Sequence, residues 1–259
     1  MTSGGRKVLK IAVIADIHGN RPALEAVQAD LAARGGADLL VNLGDCASGP
    51  LWPRETMELL ATLDAVTVRG NHDRQVATLS PERMNASDRF TVEAISPAQR
   101  SWLGALPFDA RVADGIVAMH ASPASDTRYL MDRIQDGELV RDRHEAIAAR
   151  LGDRVEAGVV LTGHSHRADM VRLDSGVTII NPGSVGCPAY DDDDDPPHVS
   201  DSGSPHARYA IVTPDPDGLP AVLFVAVAYD HEAAARRADA SGRPDWAAAL
   251  RTGFAVRPG

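Results

Sequence analysis

The stretch Ile11-Ala12-Val13-Ile14-Ala15-Asp16-Ile17-His18-Gly19-Asn20 decides how this chain is read. An unbroken apolar run stops at a carboxylate, reaches an imidazole two residues later and ends in Gly-Asn. A run apolar on both faces predicts a parallel strand covered on both sides, here over 8–15. That strand hands two metal-competent side chains to a loop at its carboxyl end.

Outward from it, Asn20 and Pro22 predict a helix start, with Leu24, Val27 and Leu31 at helical spacing and Gly35-Gly36 as the stop. A second strand over 38–43 ends in Gly44-Asp45. A helix over 54–63 leads to a third strand, 65–69, ending in Gly70-Asn71-His72-Asp73. The order β-α-β-α-β predicts an α/β sheet with crossover helices. Short helices follow over 80–106, where Ser96 and Gln99 fit a capping box. Strands near 108–112 and 116–119 flank Ala113-Asp114-Gly115, and the second ends in His120.

The segment 121–137 is expected to be a long irregular loop with a functional role. Asp136 is expected to cap a helix with the stripe Val140, His144, Ile147 and Leu151, His144 being packed. A strand over 159–162 ends in Gly163-His164-Ser165-His166. Strands near 170–173 and 177–180 lead to Asn181-Pro182-Gly183-Ser184-Val185-Gly186. The polar segment 188–205 is expected to be a mobile acidic loop, 209–213 and 221–229 a hairpin, and 232–240 and 245–251 alanine-rich helices. There is no internal repeat or linker, so residues 1–259 are expected to form one domain.

Composition allows this design. Of 259 residues, 44% are hydrophobic but only 4% aromatic, so the core has to be aliphatic. The net charge of −10 argues against nucleic acid as a partner, because phosphate backbones are bound by clustered Lys and Arg. Part of that acidity is local, in the run Asp191 to Asp195, which reads as a solvated loop. No apolar stretch approaches the roughly 20 residues that span a bilayer. The amino terminus lacks a signal-peptide pattern, and two cysteines imply no disulfide framework; a cytoplasmic protein without a membrane partner is expected. Homo-oligomers stay open.

Five apolar strands thus end in residues able to bind metal: Asp16 and His18; Asp45; Asn71 and His72; His120; His164 and His166. In open α/β sheets, ligand sites form beyond the carboxyl ends of strands, so side chains distant in sequence can converge. Gly44, Gly70 and Gly163 precede three of these groups, where glycine lets backbone turn sharply and approach a ligand closely. Imidazoles, carboxylates and one amide suit Mn²⁺, Fe or Zn²⁺ rather than Ca²⁺ or a thiolate zinc site. The set is too large for one ion. Two ions roughly 4 Å apart, bridged by Asp45, accommodate it.

These five blocks, in this order, resemble the calcineurin-like metallophosphoesterase superfamily, and the length and the Asn-Pro-Gly-Ser-Val-Gly segment resemble its short bacterial and archaeal phosphodiesterase branch. The resemblance implies a four-layer α-β-β-α sandwich of two mixed β-sheets, with a dinuclear metal site at the strand ends. It implies Asp16, His18 and His166 on one ion, Asn71, His120 and His164 on the other, and Asp45 between them; Mn is the first expectation, with Fe, Zn, Ni or Co as others. His72 is then the catalytic histidine that faces the phosphate and leaving group. The implied reaction is in-line attack of a metal-bound hydroxide on a small phosphodiester, phosphomonoester or nucleotide. Dinucleoside polyphosphate hydrolysis and protein dephosphorylation are alternatives, and a non-catalytic scaffold is disfavoured because every expected ligand is present.

After Gly44-Asp45 the chain reads Cys46-Ala47-Ser48, without the Asp-Arg-Gly segment of the protein phosphatases, so a carboxylate partner for His72 is missing there. Asp73 is adjacent in sequence, which does not establish that it faces the ring. Arg74, Arg128 and Tyr129 are candidates for substrate contact, since phosphoesters attract cationic and hydrogen-bonding groups. Asn20 is either a helix cap or a phosphate contact. His198, His206 and His231 are expected at the surface, and Cys46 and Cys187 in inert packing.

Overall fold

Ile11, Val13 and Ala15 are buried on one side of the first strand, and Ile14 and Ile17 on the other. A strand covered on both faces belongs in the middle of a layered fold. The computed structural model describes residues 9–153, 156–215 and 218–257, so Val8 of the expected first strand lies outside the described residues.

In chain order the first elements are β1 (Ile11–Ile14), α1 (Arg21–Ala33), β2 (Leu39–Asn42), α2 (Pro53–Leu60), β3 (Ala65–Thr67) and α3 (Asn71–Thr78). After a short 3₁₀ turn at Pro81–Arg83 come α4 (Ala86–Ala94), α5 (Pro97–Ala105), β4 (Asp109–Ala113), β5 (Ile116–Met119), β6 (Asp132–Gln135) and β7 (Glu138–Arg141). Then follow α6 (His144–Leu151), β8 (Val159–Leu161), β9 (Ala168–Arg172) and β10 (Thr178–Pro182). The last are β11 (Ala189–Asp192), β12 (His198–Asp201), β13 (Ala207–Thr213), β14 (Ala221–Val227), α7 (His231–Ala240) and α8 (Pro244–Thr252).

Two five-stranded sheets result, ordered β14-β13-β1-β2-β3 and β4-β5-β8-β10-β9. In the first, β1, β2 and β3 run parallel and β13 joins antiparallel; in the second, β5, β8 and β10 run parallel between antiparallel edges. Val13, Val41 and Leu43 of the first sheet pack against Ala118, Leu161 and Ile180 of the second. On the first sheet's outer face lie Leu24 and Val27 of α1, Met57 of α2 and Leu103 of α5. Ile147 and Leu151 of α6 cover Val160 and Ile179 on the second sheet. The layer order is therefore α-β-β-α, as the resemblance implies. Each buried aliphatic side chain contributes roughly 1.5–3 kcal/mol, so a core this poor in aromatics still holds.

Local chemistry sets the boundaries. The expected capping box is present at α5: Ser96 Oγ accepts from Gln99 N at 3.2 Å and Gln99 Oε1 accepts from Ser96 N at 2.8 Å. Asp230 caps α7 by accepting from Ala233 N at 2.9 Å. Small side chains let α7 and α8 pack closely, with Ala234, Ala238, Ala247 and Leu250 buried against Leu51. Among the described residues, no helix is long and apolar enough to cross a membrane.

A third sheet, β11-β12-β7-β6, corrects four expectations. The segment 121–137 contains strand β6, and Asp136 does not cap a helix. Asp136 and Gly137, with φ of 53° and 77°, form the two-residue turn of the β6–β7 hairpin, since Gln135 pairs with Glu138. Left-handed backbone at both turn positions matches the twist of a hairpin, and Asp-Gly is its sequence mark. His144 consequently opens α6 and is exposed, not packed on a stripe. The segment 188–205 is not a loop throughout: β11 and β12 pair antiparallel from Ala189 opposite Asp201 to Asp192 opposite His198.

Candidate metal centre

The parallel strands of both sheets deliver their following loops to one place, and backbone hydrogen bonds lock those loops together. Asp16 N donates to Gly44 O at 3.0 Å and His18 N to Asp45 O at 2.9 Å, joining the loops after β1 and β2. Gly163 N donates to His120 O at 2.7 Å, joining the loops after β5 and β8. His164 N donates to Asp16 Oδ2 at 3.2 Å and so ties one sheet's loops to the other's. The Asn181–Gly186 segment braces both: Asn181 donates to Gly163 O at 2.8 Å, and Ser184 Oγ to Asp16 O at 2.8 Å. A Cβ on Gly70 would collide with the Asp45 carboxylate, so glycine is required there for close approach.

Two groups of three side chains could each hold a metal ion: Asp16, His18 and His166, and Asp45, His120 and His164, with candidate donor atoms within 4.8 Å of one another. Asp45 Oδ2 lies 3.8 Å from His18 Nε2 and 3.4 Å from His120 Nε2, between the groups. Asn71 Oδ1 lies 3.0 Å from His120 Nε2, beside the second group.

The ring nitrogens test whether cations fit. A backbone carbonyl only accepts, so a ring nitrogen facing one carries the proton. His18 Nδ1 faces Ser48 O, His120 Nδ1 faces Leu43 O and His166 Nδ1 faces Cys187 O, at 2.7, 2.8 and 2.7 Å. His164 is reversed, with Nε2 on Thr127 O at 3.0 Å. Each ring, in its neutral form, thus turns a lone pair inward, the outer hydrogen bond fixing its tautomer. With both rings neutral, His18 Nε2 and His166 Nε2 then stand 3.2 Å apart as two facing lone pairs, an arrangement that a bound cation would satisfy. Asp16 Oδ1 is buried without a hydrogen-bond partner and points the same way. The donor set fits two divalent ions.

Backbone and charge show the same preparation. Asp16, His18, Asp45, His164 and His166 all have φ between 49° and 68°, and among described non-glycine residues only Asp136 shares that region. Such left-handed backbone costs of order 1–3 kcal/mol at each residue and persists where surrounding structure enforces it. Burial pushes the His18 and His164 rings down to about 4 and about 3, keeping them neutral. Burial also raises the Asp16 carboxyl to about 8. For Asp45, burial works upward, but His120, His72 and His18 together hold its carboxyl well below the usual range. Burial would lower His120, yet the Asp45 carboxylate carries it up to about 10.

His72 receives the carboxylate partner that the sequence left unidentified. Its Nδ1 lies 2.9 Å from Asp88 Oδ1, which also accepts from Ser48 Oγ at 2.6 Å. Asp88 stands in the first turn of α4, whose cap Asn85 accepts from Asp88 N at 2.8 Å. Burial would lower the His72 ring, but Asp45 and Asp88 raise it to about 9. Asp73 does not serve this role: its carboxylate accepts from the backbone N–H groups of Asp45, Cys46 and Gly70, each at 2.9 Å.

The other predicted residues fall elsewhere. Asn20 caps α1, accepting from Ala23 N at 3.3 Å and donating to Gly186 O and the Tyr229 hydroxyl, fully buried. Arg74 is held in two hydrogen bonds by Asp126, at 2.6 and 3.0 Å, and Arg128 is exposed. Tyr129 stacks on His164 with ring centroids 4.7 Å apart, and its hydroxyl lies 2.8 Å from both the Tyr190 hydroxyl and His198 Nε2. His198 is therefore buried rather than at the surface; Cys46 and Cys187 are both buried.

A cleft of about 500 Å³ opens over the two groups, with His72 in its wall. Asn20, Arg74, Arg128 and Tyr129 do not line it. Tyr190, the aspartates after it, Arg243 and Trp246 do; of these the sequence marked only the aspartate run, and as solvated chain rather than as part of a site. An Arg-x-x-Trp pair opening an otherwise alanine-rich helix was the one available signal.

The sequence model for calcineurin-like phosphoesterases matches residues 9–168, which include every residue of both groups. An uncharacterized protein of Methanocaldococcus jannaschii is 29% identical over 195 residues, covering 69% of this chain and 76% of that protein. The solved structure of a metallophosphoesterase from Sphaerobacter thermophilus superposes with a TM-score of 0.68 at 25% identity, over 94% of this chain and 98% of that one. A hypothetical protein from Pyrococcus horikoshii shares the fold with a TM-score of 0.72 at 23% identity, over 96% of this chain and all of that one.

Proposed function

The chain belongs to the calcineurin-like phosphoesterase family and is a phosphoester hydrolase, and we propose that its substrate is a small phosphodiester, phosphomonoester or nucleotide, hydrolysed with two Mn²⁺ ions. The observation that carries this is the pair of three-residue groups, lone pairs turned inward, sharing one cleft with a carboxylate-held histidine. Donors that mix imidazole and carboxylate without thiolate suit Mn²⁺, with Fe and Zn²⁺ as competitors. Divalent ions in such a site polarise a phosphoryl oxygen and make a neutral-pH nucleophile of water.

The protein's own part is orientation and proton transfer. Asp16, His18 and His166 would hold one ion and Asn71, His120 and His164 the other, with Asp45 placed between the two groups. Asp88 takes His72 by Nδ1, and Nε2 has no hydrogen-bond partner among the described residues, so the ring can donate a proton to the departing oxygen. A cleft of about 500 Å³ accommodates a small ester. A cytoplasmic setting agrees with the two free, buried cysteines, and the net charge of −10 argues against nucleic acid as a partner.

The test is hydrolysis of bis(p-nitrophenyl) phosphate by purified protein with added Mn²⁺, alongside a panel of phosphomonoesters and nucleotides. Turnover that disappears with chelator and returns with Mn²⁺ is expected. A loaded protein inert to the whole panel refutes the proposal.

A further inference from the structure

The His164-Ser165-His166 loop gives one histidine to each candidate metal group, His166 to the first and His164 to the second. Both have left-handed backbone, with φ of 68° at His164 and 58° at His166, which persists where neighbours enforce it. Those neighbours come from outside the two central sheets. Tyr129, in the loop between β5 and β6, stacks on the His164 ring with centroids 4.7 Å and planes 22° apart. Tyr190 of β11 meets the His166 ring at 70°, with centroids 4.6 Å apart. Strands β11 and β12 pair with Tyr190 opposite Ser200 and Asp192 opposite His198. Alternation along each strand therefore puts Tyr190, Ser200 and His198 on one face of the ribbon. That face is turned to the loop, since Ser200 Oγ donates to Ser165 O at 2.6 Å, between the two histidines.

The two tyrosines are joined to each other. In its neutral form the buried His198 ring carries its proton on Nδ1, which faces Pro196 O at 3.0 Å, so Nε2 is an acceptor. Tyr129 Oη, 2.8 Å from that nitrogen, donates to it and is left to accept from Tyr190 Oη, also at 2.8 Å. The hydrogen bonds thus run one way, from Tyr190 through Tyr129 to His198, and such chains polarise and stiffen their members. One end of the chain lies against a ring of the first metal group, and its middle against a ring of the second.

Resting on the two-metal phosphoesterase reading above, we infer that Tyr190, Tyr129 and His198 form one bracket that positions His164 and His166 together, so that both ion sites depend on the same hydroxyl hydrogen bonds. None of the three is a ligand. Tyr190 and Tyr129 act through the imidazoles they touch, and His198 acts through Tyr129. Tyr190 and His198 lie beyond residue 168, outside the part matched by the family model. Simple packing would have a local consequence, because Tyr129 touches a ring of the second group only. The bracket carries a disturbance at Tyr129 to the first group as well.

The experiment titrates the metal-free full chain with Mn²⁺ by calorimetry, which reads both affinities, and follows spin coupling between the bound ions by electron paramagnetic resonance. Tyr129→Phe and Tyr190→Phe keep both rings, and each is expected to weaken both ions about tenfold and to lower the spin-coupled share of bound Mn²⁺. Because the two substitutions share one hydrogen bond, Y129F/Y190F is expected to lose no more than about threefold beyond either alone. His198→Leu gives the same loss at both ions, and His198→Gln, whose amide oxygen can take the same proton, recovers at least about half of it on a logarithmic scale. Tyr129 does not line the cleft, so Tyr129→Phe lowers kcat on bis(p-nitrophenyl) phosphate and leaves KM within about twofold. Affinities within about twofold of wild type in both phenylalanine variants, weakening confined to one ion, or fully additive losses overturn the inference. Should His198→Leu fail to fold, the phenylalanine variants decide alone. If wild type still takes up two Mn²⁺ ions and hydrolyses bis(p-nitrophenyl) phosphate when the inference fails, the phosphoesterase reading stands without the bracket. A wild type that neither binds Mn²⁺ nor turns over the ester refutes both.

Discussion

Replacing Asp88 by asparagine keeps the shape of the group behind His72 and removes its charge. Asp88 Oδ1 accepts from Ser48 Oγ at 2.6 Å and faces His72 Nδ1 at 2.9 Å, and an asparagine oxygen can keep both contacts. What is lost is a charge-assisted hydrogen bond, worth about 1.5–3 kcal/mol. At 1.36 kcal/mol per pH unit, the His72 ring falls by about one to two units from the raised position that Asp45 and Asp88 give it. The raised value favours the protonated ring, so donor activity is present below that value and disappears as pH rises through it. Asp88→Asn should therefore move the alkaline limb of kcat down by about one to two units. The loss at pH 8 should be about 2–10-fold with an alkoxide leaving group, because the protonated fraction of the ring falls by that factor, and smaller with p-nitrophenolate, which hardly needs a proton. The assay is a pH profile of kcat on both substrates, with metal content measured in parallel. An unchanged limb, or equal losses on the two leaving groups with full metal occupancy, refutes the positioning role.

Asp45→Asn should lower bound metal from two ions towards one, by mass spectrometry of the metal content, and cut kcat about 10²–10³-fold; two retained ions with near-normal turnover would contradict its place between the groups. Gly70→Ala forces a methyl against the Asp45 carboxylate, so we expect about 1–3 kcal/mol of destabilisation in denaturant melts together with impaired metal binding. Without ions, Asp16 and His120 titrate near 8 and 10, so at neutral pH both carry protons that binding must displace. Apparent Mn²⁺ affinity should therefore rise at least about tenfold per unit between pH 6 and 8, measured by calorimetric titration, and a flat dependence would exclude this proton release.

The candidate metal residues were legible because the strands that carry them are buried on both faces. An apolar run cut off by a carboxylate or imidazole marks both the strand end and the donor, as at Ala15-Asp16 and Met119-His120. The partner of His72 was illegible for the opposite reason. Asp88 lies on a surface-facing helix among polar neighbours, and only folding sets its carboxylate beside a ring 16 positions away. Adjacent Asp73 drew attention in its place, but its carboxylate is occupied by three backbone N–H groups. The hairpin at Asp136-Gly137 did have a local sign, outweighed by a helical spacing that began one strand too early. The β11–β12 ribbon had none: five consecutive aspartates suppress the alternation that marks a strand, and its order comes from Tyr190 and His198 meeting Tyr129.

Each candidate metal group takes side chains from both sheets: Asp16 and His18 from one with His166 from the other, Asp45 from one with His120 and His164 from the other. His18 and His166, 148 positions apart, belong to opposite layers of the sandwich. Ions held here would act as fasteners across the seam between layers as well as reagents. With ions in place, separation of the sheets would require breaking coordination on both sides, so loading the site would add a mechanical interlock near the open edge. At free metal 100 times the dissociation constant, one such fastener is worth about 2.7 kcal/mol, and a chelator should loosen the sandwich along that same seam.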